Sequence, residues 1–185
     1  MQKVEVKKIK VYDNMSQETH CFEAVICVDD VPLIHAQNDG HGGSNSYYWV
    51  HPDQSAGSPY NYVEKIDAFL SSKFQPLVLH KGKENEFVIP YDLEQFIDTN
   101  ISLQALKKDF NRIMKNVSII MDDEVYKLNI PADKYSSYKE KVQEKYPDSV
   151  ILNGLPKEEA FKLFLNLAKV SLPEKASKEK VEPRI

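Results

Sequence analysis

The sequence contains no long apolar run. Crossing a bilayer takes about 20 consecutive apolar residues, and no stretch of this chain approaches that length. The beginning, Met-Gln-Lys-Val-Glu-Val, also lacks the apolar core of a signal peptide. We therefore expect a cytoplasmic protein that does not enter a membrane.

Cysteine is scarce as well. The chain has only Cys21 and Cys27, and they lie in a segment with the pattern of a strand. Six residues of strand at about 3.3 Å each separate the two by roughly 20 Å, whereas a disulfide needs Cα atoms within about 7 Å. We predict two free thiols, as expected in a reducing compartment.

Neither charge sign predominates strongly. The net charge is −4, and Lys and Arg are scattered through most of the chain. A general nucleic-acid binder needs a concentrated basic surface for phosphate contacts, so that class is disfavoured. The 185 residues suffice for one sizeable core. We predict a single domain over 1–168, with a subdivision near 81–86, and a disordered charged tail over 171–185.

The first half has the pattern of a β-meander. Alternating apolar residues predict a strand near 4–11, with a bulge or bend at Lys7 and Lys8 where the phase changes. Further strands are predicted at Phe22–Val28 and Pro32–Gln37, separated by an Asp29-Asp30 turn. Ser58 followed by Pro59 then predicts a helix over 59–73.

The second half alternates between helical and strand-like patterns. They predict, in order, a short strand at 87–90, a helical turn after Asp92, a helix behind Ser102, a hairpin at 117–121 and 125–130, a helix at 134–146, a strand at 150–152 and a last helix at 156–169. The apolar arc of the last helix spans roughly 200°, so it is either wedged between two elements or half covered by a partner, which makes a homo-oligomer one alternative. The predicted fold class is α+β: an antiparallel meander with helices packed on one face, then a second hairpin and a helix-strand-helix unit.

The segment 38–45, N-D-G-H-G-G-S-N, is the best candidate site. One interpretation is a simple turn. A second is an anion cradle, in which the backbone amides of Gly40, Gly42 and Gly43 converge on a ligand, although the spacing matches no standard nucleotide motif. Aromatic residues follow closely and offer flat faces for stacking, unless they pack the core instead. The predicted ligand-binding residues are Asn38, Asp39, Gly40, His41, Gly42, Gly43, Ser44, Asn45, Tyr47, Trp49, Tyr60 and Tyr62.

Two other patterns contain residue types found in metal sites. His35, Asp39 and His41 combine imidazole and carboxylate groups that suit zinc, iron or manganese, which makes a metal-dependent phosphoester hydrolase the alternative function. Asp122-Asp123 resembles paired carboxylates. Because Asp29-Asp30 occupies the same kind of position, the simpler interpretation is a turn pair used twice.

Two segments carry a resemblance. The N-D-G-H-G-G-S-N stretch and, much later, K-Y-P-D-S-V-I-L-N-G-L-P-K-E-E-A resemble a group of small proteins encoded by bacteriophages and prophages. The resemblance extends to about residue 168. It implies an accessory phage-type protein that acts on components of the host bacterial cytoplasm, and it assigns no catalytic residue.

The combined prediction is a non-enzymatic binding protein without a cofactor. Its partner would be a small polar or nucleotide-like ligand, or a host protein, held at the 38–49 segment. A protein-protein inhibitor acting through the last helix is a further alternative.

Overall fold

The computed structural model describes residues 1–51, 57–80, 82, 84–168 and 173. The chain forms two compact units, the first containing Met1–Ile101 and the second beginning at Ser102. The division therefore lies inside a helix and not near residues 81–86, and the stretch predicted as a single domain comprises both units. The tail predicted over 171–185 lies outside the described residues, apart from Pro173.

The first unit is built on a four-stranded antiparallel meander. Its strands are adjacent in chain order: β1 (Val4–Val11), β2 (Cys21–Val28), β3 (Val31–Asp39) and β4 (Ser46–Trp49). A register shift between Lys7 and Lys10, with Lys8 at a φ of 53°, is the predicted bulge. The fourth strand was not predicted, and Asn38 and Asp39 belong to β3, so the loop begins only at Gly40.

One face of this sheet carries the core of the first unit. Phe22, Ala24 and Ile26 alternate along β2 and are buried against α1 (Pro59–Lys73) and the first half of α2 (Leu93–Ile113). As predicted, the Ser58 side chain caps α1 by accepting from the Tyr60 amide (3.3 Å), with Pro59 at the first helical position. The predicted α+β class, with helices on one face of a meander, is confirmed. A separate hairpin of β5 (Leu77–Leu79) and β6 (Phe87–Ile89) also belongs to this unit.

The helix α2 is one continuous element where two were predicted. Ser102 lies in its middle and does not cap a separate helix. Thr99 and Asn100 lower helix propensity, but their side chains donate to the carbonyls of Gln95 (2.8 Å) and Phe96 (2.7 Å) within the helix. Burial of Ile97 and Ile101 outweighs the unfavourable local sequence.

The second unit contains the predicted hairpin and helix-strand-helix arrangement. Its three-stranded sheet has the order β8-β7-β9. The elements are β7 (Asn116–Met121), β8 (Glu124–Pro131), α3 (Tyr135–Lys145), β9 (Val150–Ile151) and α4 (Lys157–Leu167). On α4, Phe161 and Phe164 contact Phe110 with ring centroids 5.1 and 5.6 Å apart. Part of the wide apolar arc is therefore covered inside the second unit.

Both Asp-Asp pairs form hairpin turns, as predicted. All four residues, Asp29, Asp30, Asp122 and Asp123, have positive φ angles, between 47° and 68°. Two central residues with positive φ match the turn type that fits the twist of antiparallel strands. The paired-carboxylate interpretation is therefore unnecessary. Both cysteines are buried and free, and no helix in the described part of the chain is long and apolar enough to cross a membrane.

Candidate functional site

The Asn38 side chain holds the Gly-rich turn in shape. Its Oδ1 accepts from the Thr19 hydroxyl (2.8 Å) and from the Gly40 amide (2.9 Å). Its Nδ2 donates to the Gly43 carbonyl and to Asn45 Oδ1, both at 3.1 Å. One amide side chain therefore ties the end of β3 to both sides of the turn.

The predicted anion cradle is not available. The Gly40 amide donates to Asn38, the His41 amide to Asp39 Oδ1 (3.1 Å), and the Gly42 amide to the Thr19 hydroxyl (3.3 Å). Two of the three glycine amides expected to bind an anion are thus already used within the chain. The physical reason is that Asn, Asp and Thr side chains satisfy nearby backbone amides before a ligand does.

The segment 16–20 folds against this turn. The Gly40 carbonyl accepts from the amides of Gln17 (2.9 Å), Glu18 (3.1 Å) and Thr19 (3.4 Å). A side chain at residue 40 has no room, because a Cβ there would lie 2.5 Å from the Met15 carbonyl oxygen, at a φ of +85°. Glycine is therefore required for the close approach of the two segments.

A cavity of about 390 Å³ opens between this segment, the turn and α2. Its lining combines carboxylates, amides, hydroxyls, one imidazole and one aromatic ring. The lining residues are Ser16, Gln17, Glu18, Thr19, His20, Phe22, Asn38, Gly43, Asn45, Glu94 and Asp98. Of the predicted site residues, Asn38, Gly43 and Asn45 therefore share one cavity.

The cavity wall is acidic. It contains the carboxylates of Glu18, Glu94 and Asp98, and neither lysine nor arginine. Glu94 Oε1 accepts from the Asn45 amide (3.0 Å). Burial raises the pKa of Asp98, and the charge of nearby His20 opposes part of that shift.

The predicted aromatic residues lie elsewhere. Tyr47 packs edge-to-face on Tyr60 with centroids 5.6 Å apart, and Trp49 on Tyr62 at 6.0 Å. The Trp49 indole also donates to the Gly57 carbonyl (3.0 Å). These pairs join β4 to α1, and none of the four rings lines the cavity. Tyr47 is only 5% exposed, which agrees with the alternative that these aromatic residues pack the core.

The Tyr47 hydroxyl is a buried polar group beside the Asn45 side chain. Burial raises the pKa of this phenol, and the negative charge of Glu94 raises it further. The hydrogen bond with the Asn45 side chain opposes part of this rise.

The remaining predicted residues do not form a site. Asp39, Gly40, His41, Gly42 and Ser44 shape or border the turn without lining the cavity. His35 and Asp39 lie four residues apart in a strand, which is roughly 13 Å at 3.3 Å per residue. In the described residues, no three His, Cys, Asp or Glu side chains are placed to hold a metal ion. The hydrolase alternative therefore lacks its ligand set.

The second motif of the resemblance is structural. In I-L-N-G-L-P, Asn153 Oδ1 accepts from the Ser118 amide (2.7 Å) and its Nδ2 donates to the Asn116 carbonyl (3.2 Å). It joins the turn after β9 to β7.

Sequence reasoning missed the segment 16–20 and the acids of α2. The first was accessible in outline, because a two-residue turn at Asp29-Asp30 brings Cys21 opposite the end of the next strand, where a one-residue register shift between Ile26 and Cys27 pairs it with Asp39. Residues before Cys21 must then face those after Asp39. The acids of α2 gave no such signal, since Glu94 and Asn45 are 49 residues apart. No protein-family model, curated protein or solved structure matches this chain.

Proposed function

We propose that this chain is a non-enzymatic binding protein that takes a small polar ligand, or the polar side chain of a partner, into the cavity beside the Gly-rich turn. The single observation that supports it is the cavity itself. Its volume of about 390 Å³ falls within the range of small-molecule sites. The phage-type accessory role, with a host component as the source of the ligand, is part of this proposal.

The hydroxyl groups of the cavity support binding over catalysis. Ser16 Oγ donates to the Tyr12 carbonyl (3.1 Å) and accepts from the Cys21 amide (2.9 Å). Thr19 Oγ1 donates to Asn38 and accepts from Gly42. A nucleophile has to transfer its proton to a base, and both of these protons are committed to structural acceptors.

Thermal melting of the full chain with a panel of small cationic, neutral and anionic compounds tests the proposal. A ligand at 100 times its Kd stabilises the folded state by about 2.7 kcal/mol, so binding raises Tm measurably. His20→Trp should abolish the rise, because the larger ring occupies the cavity. His35→Trp is the matched control, since His35 is also exposed and lies outside the cavity.

Two results would contradict the proposal. A Tm rise that survives His20→Trp would place the ligand elsewhere. Conversion of the bound compound, detected by mass spectrometry after incubation, would contradict its non-enzymatic part.

A further inference from the structure

We infer that the exposed residues among 107–115, at the end of α2, form a second binding surface, and that its partner is duplex DNA. This basic face lies in the second unit, which begins at Ser102. The two residues of α2 that line the cavity, Glu94 and Asp98, belong to the first unit. The basic face is therefore separate from the cavity and does not depend on the function proposed for it.

The basic face concentrates positive charge in a chain that is acidic as a whole. The net charge is −4, yet four of the 24 Lys and Arg residues fall within these nine positions: Lys107, Lys108, Arg112 and Lys115. All four residues are exposed. The acid among the nine, Asp109, forms an ion pair with Arg112 (2.9 Å). Lysine and arginine are scattered over the whole sequence, but here they form a local basic surface.

Helix stability accounts for only part of this charge. A cation in the last turn interacts favourably with the helix dipole, and Arg112 occupies that turn. Lys107 and Lys108 precede the helix end at Ile113 by more than a turn. Lys108 also lies four residues before Arg112, a spacing at which like charges destabilise a helix. A bound polyanion would remove that repulsion.

The exposed side chains of this stretch share one side of the helix. At 100° per residue, an arc of about 140° contains four exposed residues: Lys107, Asn111, Lys108 and Arg112. The apolar residues of the same stretch, Phe110, Ile113 and Met114, belong to a hydrophobic cluster of the second unit. Lys115 follows in the turn directly after the helix. The stretch therefore presents a continuous polar face to solvent.

The composition of the basic face distinguishes between polyanionic partners. Every exposed residue over 107–115 is either charged or an amide. A protein interface usually has aromatic or other apolar residues at its centre, and a helix that lies on a membrane needs an apolar face. Nucleic acids need neither, because lysine and arginine bind phosphates and asparagine hydrogen-bonds to base edges. Charge complementarity and residue type together favour a nucleic acid.

The helical shape of the face favours duplex DNA over duplex RNA. The major groove of B-DNA is about 12 Å wide and admits an α-helix. The major groove of A-form RNA is too deep and narrow for side chains to read. In the DNA groove, Asn111 faces the base edges, while Lys107 and Arg112, at the two ends of the arc, contact phosphates on the two walls.

Fluorescence anisotropy of the full chain with a labelled DNA duplex of mixed sequence tests the inference. We expect a Kd between about 1 and 100 μM at physiological salt, the range of sequence-independent binding. Raising the salt from 50 to 200 mM should weaken binding about 40-fold if three phosphates are contacted, because bound counterions are released. Duplex RNA of the same sequence should bind several-fold more weakly.

Substitutions connect the binding to the basic face. Lys107→Gln/Lys108→Gln should weaken DNA binding about tenfold or more and reduce the salt slope by about two, one for each phosphate contact. Asn111→Ala should weaken binding several-fold without changing the slope, because asparagine is neutral. The matched control is Lys139→Gln/Lys141→Gln, which removes the same charge from exposed positions of α3, where lysines alternate with glutamates. Thermal melting checks that every variant folds.

Several results would overturn the inference. One is no binding of duplex DNA in 50 mM salt at 100 μM protein; another is an equal loss in the two double variants, which would indicate net charge alone. Equal binding of duplex RNA would contradict insertion in the groove. A glutamate-rich peptide, or vesicles of phosphatidylcholine with 30% phosphatidylserine, should bind far more weakly than DNA, and equal affinity would assign the face to another class of partner. His20→Trp should leave DNA binding unchanged, which separates this result from the fate of the cavity proposal.

Discussion

The two motifs of the resemblance, around Asn38 and around Asn153, use the same chemistry with different results. In each, an asparagine side chain joins backbone groups of two segments, and a nearby glycine lies close to another part of the chain, Gly40 against the Met15 backbone and Gly154 against the Tyr135 hydroxyl. The first borders the cavity described above. The comparison teaches that an Asn-Gly pattern specifies close packing of backbone segments, and that a site arises only where the packing leaves space.

The first prediction tests the glycines of the cavity turn. Gly40→Ala should lower the free energy of unfolding by about 3 kcal/mol, because it adds a positive-φ penalty and a backbone clash. Gly43→Ala is the matched control: its φ is +91° but nothing lies within 4 Å of an added Cβ. Gly43→Ala should lower the free energy of unfolding by only about 1 kcal/mol. Urea unfolding measures both, and equal losses would contradict the packing argument.

The second prediction compares the two asparagines directly. Asn153→Ala should lower the free energy of unfolding by about 2 kcal/mol. The backbone amide of Ser118, a residue with no exposed surface, loses its hydrogen-bond acceptor in this variant. Asn38→Ala removes more hydrogen bonds but should lower the free energy of unfolding by only about 1 kcal/mol, since water can reach two of its partners, Thr19 and Gly43. Chemical denaturation checks the order. A larger loss of stability for Asn38→Ala would show that the number of hydrogen bonds removed matters more than the burial of their partners.

The third prediction concerns pH and the cavity acid Asp98. Partial desolvation raises the folded-state pKa of this exposed carboxyl above the ordinary value of 3.8, so folding favours its protonated form. Its stabilising contribution is therefore complete below the ordinary pKa and is lost as pH rises through the raised one. Asp98→Asn should accordingly have the higher Tm at pH 7, and the difference should shrink towards pH 4. Thermal melts across that range measure it, and a constant difference would contradict it.

The smallest effect is expected at the hairpin turns. Asp29 Oδ1 accepts from the amides of Gln2 (2.7 Å) and Lys3 (2.9 Å), which lower the pKa of its carboxyl. The stability it contributes is present above its ordinary pKa of 3.8 and is lost as pH falls through the lowered one. Asp29→Asn should therefore reduce Tm slightly at pH 7 and not at pH 2. Asp122→Asn, at the equivalent turn, should change little at either pH.

Local signals were sufficient wherever neighbouring residues decide the structure. Ser58 and Pro59 placed the start of α1, and the Asp-Asp pairs placed two turns, because capping and turn geometry depend on a few adjacent residues. The continuity of α2 was missed because tertiary burial of Ile97 and Ile101 outweighs local propensity. The cavity was predicted only in part, because its acidic wall comes from a helix that no local pattern connects to the turn.

The placement of the division between the units inside α2 has a consequence for synthesis on the ribosome. Helical carbonyls bond to amides four residues ahead, so the carbonyls of residues 98–101 need the amides of 102–105. A nascent chain that ends at Ile101 lacks those partners, and the helix segment that carries Glu94 and Asp98 then has an incomplete last turn. A fragment meant to retain the cavity should therefore continue to Ile113, where the helix itself ends.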